Sequence, residues 1–335
     1  MDYRNNIRLV RKPKSVVTLD FVITMIIVFM AVINLIPPKV HIEVNPFVKG
    51  AGEKTMIAAH RGGGKNNPEN TMLAFTEAVD TIGVDILESD LHLTKDGYLV
   101  FNHDEYIDRT SNVNGDVPQE QAEENRHYIR DLTLEELQQY NFGYYFTDES
   151  GERIYKDVED PAAAGLQIAT VDQLFETFYE SNPDLMFILE IKDEGDRGRE
   201  ACRFLWQTLQ NYPDYLDQIV VGSFHEEIEK ELKEEYPTIL RGASTGSAGN
   251  FIITHFFRMN LLSPADFACL QIPTEYDIGI NVTLDKEPLI EQAHKRNIAV
   301  QYWTINDPEE MQHLIKLGCD CIMTDDPALL KEVLG

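Results

Sequence analysis

The sequence predicts an α/β protein: a (β/α)₈ barrel with a small inserted subdomain, preceded by one N-terminal transmembrane helix. Three observations carry this expectation. From Thr55 onward, short apolar runs alternate with helical patterns to the end of the chain. About eight such strand–helix units favour a closed barrel over an open doubly wound sheet. Ahead of them lies an apolar run with no charge between Phe21 and Ile33.

In chain order, residues 1–15 read as a basic cytoplasmic tail, because the first 14 hold five basic residues against Asp2. Residues 16–36 are expected to be a membrane anchor. They are apolar all round rather than amphipathic, and a helix of about 20 residues crosses a layer of about 30 Å. Asn34-Leu35-Ile36-Pro37-Pro38 offers no small-x-small site for signal cleavage. Positive residues ahead of the span place the N-terminus in the cytoplasm, so the expected localisation is a single-pass cell-membrane protein with an extracytoplasmic catalytic domain. Pro37-Pro38 then opens a linker over residues 37–54.

Residues 55–335 form the expected barrel domain. Strands are expected at Met56–Ala59, Val84–Leu91, Tyr98–Asn102, Met186–Ile191, Gln218–Ser223, Thr238–Arg241, Ala268–Pro273, Ile298–Thr304 and Cys321–Met323. Asn70 reads as the cap of the first helix and Asp307-Pro308 as the opening of a later one. The stretch from about 104 to 166 is too long for a plain loop and reads as an insertion. Phe251–Leu262 reads as a barrel helix with an unusually apolar face.

Composition narrows the function. With 29 basic against 57 acidic residues and a net charge of −28, the chain lacks the basic surface of a nucleic-acid binder. Four cysteines are too few for a disulfide scaffold, and Cys319 and Cys321 read as core thiols. No protein partner is indicated.

Charged residues gather at strand ends. Side chains alternate across a strand, so Glu88 and Asp90 share one face, as do Glu190 and Lys192. The flanking Leu87, Leu91, Leu189 and Ile191 would pack beneath the helices while the charged pairs face the barrel axis. Buried charges there are costly unless paired or bound to metal. Glu88, Asp90 and Glu190 form a hard-oxygen ligand set, which suits one divalent cation, Ca²⁺ or Mg²⁺, better than zinc. Arg61 and Lys192 beside it would hold a phosphate, and His60 and His103 supply groups that exchange protons near neutrality. Together these residues point to phosphoester cleavage.

At this point the sequence resembles the glycerophosphodiester phosphodiesterase family, in its membrane-anchored bacterial form. The resemblance rests on His60-Arg61-Gly62 with Pro68-Glu69-Asn70-Thr71, and on Gly83–Asp90 with Thr94-Lys95-Asp96-Gly97 and His103-Asp104. It continues through Asp108-Arg109-Thr110, Glu190-Ile191-Lys192, Ser223-Phe224, Trp303-Thr304-Ile305-Asn306 and Thr324-Asp325-Asp326-Pro327. It implies metal-dependent hydrolysis of a small glycerophosphodiester to sn-glycerol 3-phosphate and an alcohol. It further implies Glu88, Asp90 and Glu190 as metal ligands, His60 and His103 as the acid–base pair, Arg61 and Lys192 on phosphate, and Trp303 lining the glycerol or alcohol pocket. Two other readings compete: a lysophospholipase D or sphingomyelinase-D-like enzyme acting on lysolipids, and a non-catalytic barrel that binds polyol phosphates.

Overall fold

The computed structural model describes residues 14–335 apart from 278 and 280. Its first element is helix α1 (Lys14–Leu35); the basic tail expected over 1–15 lies outside the described residues up to residue 13. The expected anchor is overturned: among the described residues, no helix is long and apolar enough to cross a membrane. With the anchor go the single-pass membrane localisation and the membrane as a partner.

Eight parallel strands follow: β1 (Met56–Ala59), β2 (Ile86–Leu93), β4 (Met186–Ile191), β5 (Ile219–Gly222), β6 (Leu240–Arg241), β7 (Cys269–Ile272), β10 (Ala299–Tyr302) and β11 (Cys321–Thr324). They hydrogen-bond in the order β6-β5-β4-β2-β1-β11-β10-β7. A Gly242–Cys269 bridge joins the two ends, with Ala268 N donating to Arg241 O at 2.7 Å and Ala243 N to Cys269 O at 3.0 Å. The ring is nearly closed, a TIM-barrel-like arrangement. Strand β3 (Leu99–Phe101) is not a stave. It turns back antiparallel on β2, with Leu91 opposite Phe101, because Thr94–Gly97 forms a tight turn in which Tyr98 N donates to Thr94 Oγ1. Strands β8 (Glu275–Asp277) and β9 (Asn281–Thr283) make a separate two-stranded ribbon.

Helices cover the outside: α2 (Met72–Thr76, continued by a wider π-helical turn over Glu77–Ile82), α5 (Val171–Phe178), α6 (Gly195–Leu209), α7 (Glu226–Glu235), α8 (Thr245–Phe256), α9 (Glu287–His294), α10 (Pro308–Leu317) and α11 (Pro327–Leu334). Short helices α3 (Gln119–Ala122) and α4 (Leu134–Leu137) lie in the segment between β3 and α5. The cap of α2 is Thr71, whose Oγ1 accepts from Ala74 N, and not Asn70. Asn70 sits in the left-handed region at φ 59° and gives its side chain to the strand ends. Asp307 and Asp326 cap α10 and α11.

Strand alternation sorts the core into two shells. Leu87, Leu91, Leu189 and Ile191 pack under the helices with Phe75, Phe175 and Phe187. Ala58, Ile86, Ile188, Val220, Ala299 and Cys321 face inward and fill the bore. All four cysteines are free and buried. Residues ahead of β1 join the inner shell: Phe47 is 0% exposed. Asn45 Nδ2 donates at 2.8 Å to both Ala268 O and Asn297 O, and Asp320 Oδ1 accepts from Lys49 N at 3.0 Å. Phe47 therefore closes the N-terminal mouth of the bore. Apolar side chains at the end of α8 and beyond it, Ile253, Phe256, Phe257 and Leu262, are exposed.

Candidate active site

Register builds the site. On adjacent parallel strands Asp90 pairs with Glu190, and Glu190 pairs in turn with Gly222. Glu88 lies two residues before Asp90 on the same face. One carboxylate oxygen from each of Glu88, Asp90 and Glu190 lies within 4.8 Å of the others. Glu88 and Asp90 are only 3% and 2% exposed. Gly222 leaves the space beside Glu190 open to a cavity of about 220 Å³.

The loop after β1 brings in the next two groups. Arg61 stands at φ 53° and Gly62 at φ 82°. A Cβ on Gly62 would meet Phe75 at 2.9 Å and Ala74 at 3.0 Å, so this tight turn needs glycine. The turn aims Arg61 N at Glu88 Oε2 (3.0 Å) and Arg61 Nε at Asp90 Oδ2 (3.3 Å). His60 Nε2 is 4.0 Å from Glu88 Oε2, and its Nδ1 is 2.5 Å from Asp325 Oδ1. Asn306 Nδ2 donates to the other Asp325 oxygen at 2.7 Å.

The antiparallel return of β3 delivers His103: Asn102 N donates to Asp90 O at 3.0 Å, and the next residue turns into the cavity. His103 Nδ1 is 2.8 Å from Asp104 Oδ1. Lys192 Nζ lies 3.0 Å from Asp90 Oδ1 and 2.7 Å from Glu190 Oε1. Asn70 Nδ2 donates to Asp90 Oδ2 at 3.4 Å, and Ser89 Oγ donates to Asn70 Oδ1 at 2.6 Å. Opposite, Trp303 and Phe224 stand edge to face with centroids 6.0 Å apart, and Phe224 lies 5.4 Å from Lys192 Nζ.

The structure thus brings all eight residues singled out in the sequence, His60, Arg61, Glu88, Asp90, His103, Glu190, Lys192 and Trp303, to one cavity wall. Four more residues of the sequence motifs, to which sequence reasoning assigned no role, prove to belong to the site. Asp325 and Asp104 hold the imidazoles, and Glu69 and Arg109 join Asp104 to Arg61. Their signal was their place directly after a strand or inside a motif. Gln271 of β7, also on the wall, gave no such signal.

Burial sets the electrostatics, with the neighbouring charges acting on top of it. Burial pushes the Glu88 carboxyl up to about 7, against the pull of His60. Burial also raises Glu190, opposed by Lys192. Asp90 is the exception: burial would raise it, but Lys192 and Arg61 hold it below the ordinary carboxylate value. For His60, burial acts downward, and Glu88 with the Asp325 hydrogen bond outweighs it, so the imidazole sits above its usual value. Three acids facing two cations leave an excess of negative charge in a poorly solvated space. That donor set, all carboxylate oxygen with no sulfur, fits a hard divalent cation.

A model of the glycerophosphoryl diester phosphodiesterase family matches residues 60–329. The chain belongs to that family. It is an enzyme, a phosphoric diester hydrolase. A glycerophosphodiester phosphodiesterase from Caldanaerobacter subterraneus subsp. tengcongensis is 29% identical over 278 residues, which cover 83% of this chain and 96% of that protein. A lysophospholipase D from Rattus norvegicus is 26% identical over 83% of this chain and 85% of its own. Among solved structures, an Oleispira antarctica phosphodiesterase in complex with the product sn-glycerol-3-phosphate shares the fold. Its TM-score is 0.59 and its identity 21%, over 84% of this chain and 96% of that one.

Proposed function

We propose that this family member hydrolyses small glycerophosphodiesters to sn-glycerol 3-phosphate and an alcohol with the help of one divalent cation, Ca²⁺ or Mg²⁺. The observation that carries the reading is the meeting of the three carboxylates within 4.8 Å, in a cavity that two imidazoles share. Glu88, Asp90 and Glu190 would hold the ion, which when bound supplies positive charge to a phosphate oxygen.

The chain's own residues do the rest. Arg61 and Lys192 carry charge toward the phosphate and stabilise what builds up as the P–O bond breaks. His103 takes the proton of the attacking oxygen, and His60 gives a proton to the departing alkoxide. Their carboxylate partners support this division. The other Asp325 oxygen accepts from neutral Asn306, and the carboxylate favours a protonated His60. Asp104, by contrast, is shared with a cation, Arg109. The attacker is water, or the glycerol 2-hydroxyl by way of a cyclic phosphate; ³¹P NMR of the reaction mixture separates them. Trp303 and Phe224 would line the glycerol or alcohol side.

The test is turnover of several glycerophosphodiesters by the full chain, with and without chelator. Chelator should abolish activity, and Ca²⁺ or Mg²⁺ should restore it; undiminished turnover in chelator would remove the ion from the reading. The lysophospholipase D reading has support from the rat relative, and choline release from lysolipid exceeding that from the deacylated diester would favour it.

Ion binding should also register without catalysis. At about 100 times the Kd, a cation that binds only the folded state adds about 2.7 kcal/mol of stability, or several degrees in Tm. The shift should vanish in Glu190→Gln. An equal shift in that variant would place the cation elsewhere on this acidic chain.

A further inference from the structure

A chain of half-buried ion pairs runs behind the cavity wall, from the inserted segment to the strand ends. Arg109 Nε donates to Asp104 Oδ2 at 2.5 Å. Its two terminal nitrogens close a fork on Glu69, Nη2 to Oε1 at 2.6 Å and Nη1 to Oε2 at 3.0 Å. Glu69 Oε1 also accepts from Arg61 Nη1 at 3.2 Å. The Glu69, Arg109 and Asp104 side chains are 19%, 25% and 17% exposed, so the pairs are far less screened than surface ones. A two-point fork fixes the guanidinium plane as well as its charge, and that plane dictates where Asp104 stands.

Asp104 decides the state of His103. Its Oδ2 accepts from a guanidinium that never gives up its proton, and its Oδ1 faces His103 Nδ1. An ionised carboxylate only accepts, so the shared hydrogen belongs to Nδ1 and the lone pair of neutral His103 sits on Nε2. The backbone that carries the ring is held as well: His92 Nε2 lies 3.4 Å from the His103 carbonyl, and Asp193 holds His92 Nδ1 at 3.0 Å.

We infer that Arg109 is a positioning residue for His103: through Asp104 it fixes the tautomer and aim of the imidazole, and Glu69 keeps it in place. This rests on the phosphodiester-hydrolysis reading above, with His103 taking part in proton transfer. It gives the insertion a part in the reaction, although Arg109 reaches the reacting atoms only through two other side chains.

A kinetic cycle on the full chain tests it, with Arg109→Gln, Arg109→Lys and His103→Ala made singly and each Arg109 change combined with His103→Ala. Arg109→Gln should lower kcat about 10–100-fold, the range seen when an orienting partner is lost, with KM within about twofold of wild type. Arg109→Lys keeps the charge but not the fork and should fall between the two. In the His103→Ala background neither change should lower kcat further, because residues acting through one another are non-additive. A full additional loss in that background, or unchanged kcat in Arg109→Gln, overturns the assignment. If Arg109→Gln does not fold, Arg109→Lys completes the same cycle. A wild-type chain that turns over no glycerophosphodiester sinks the underlying reading; an active wild type with an additive cycle sinks the Arg109 assignment alone.

Discussion

His60→Ala should lower the turnover of a glycerophosphodiester by about 10²–10⁴-fold, the usual contribution of a positioned acid–base group, and leave the protein folded. The imidazole is held from both sides, Nδ1 by Asp325 at 2.5 Å and Nε2 near Glu88 at 4.0 Å. The backbone of the turn, with Arg61 N on Glu88, does not depend on the ring. The loss should therefore fall on kcat more than on KM. It should also be smaller for an aryl diester, whose leaving group needs no proton, than for an alkyl one. Steady-state kinetics on the two substrates checks this, and an equal loss on both would move His60 from proton donor to a binding role. Near-normal turnover in a folded variant would take it out of the reaction altogether.

Phe175→Ala should cost about 3–5 kcal/mol of stability. Phe175 projects from α5 and is fully buried. Its ring lies 5.2 Å from Phe187 of β4, 5.3 Å from Tyr212 and 5.6 Å from Tyr215, each edge to face. Removing it leaves a cavity under the strand that ends in Glu190 and Lys192. The effect should appear in the denaturation midpoint, while kcat of the protein that remains folded stays within a few-fold of wild type. A loss below about 1 kcal/mol would mean that the three neighbouring rings collapse into the space.

The two predictions draw on different parts of the sequence's legibility. Glu88 with Asp90, and Glu190 with Lys192, could be paired by face because a strand's side chains alternate every second residue, and the apolar neighbours said which face was which. Register between strands has no such local code. That Asp90 would stand beside Glu190, far apart along the chain, came from placing both at strand ends of the expected barrel and not from any pattern linking the two strands. Asp325, Asp104, Glu69 and Arg109 were visible as letters. What they hold depends on where separate loops meet above the barrel, and no short-range pattern encodes that. Asn70 went astray for a physical reason: Asn and Thr both cap helices, and the structure gave that place to Thr71 and spent Asn70 on Asp90. The apolar run near the N-terminus misled most, since hydropathy measures what a segment would tolerate around it and not what surrounds it. Phe47 was missed in the opposite sense, being a lone aromatic in a stretch that reads as a connector.

That cork at the base of the barrel has a practical consequence for where the molecule begins. The family match opens at His60, and a fragment cut there would lose the first stave as well as the Phe47 ring. Starting at Met56 would keep the stave but open the floor of the bore to water, baring Ala58, Ile86 and Val220 as a greasy inlet able to draw in other chains. The smallest piece expected to keep the floor of its barrel closed in the test tube therefore begins ahead of Asn45, whose amide staples the cork to Ala268 and Asn297.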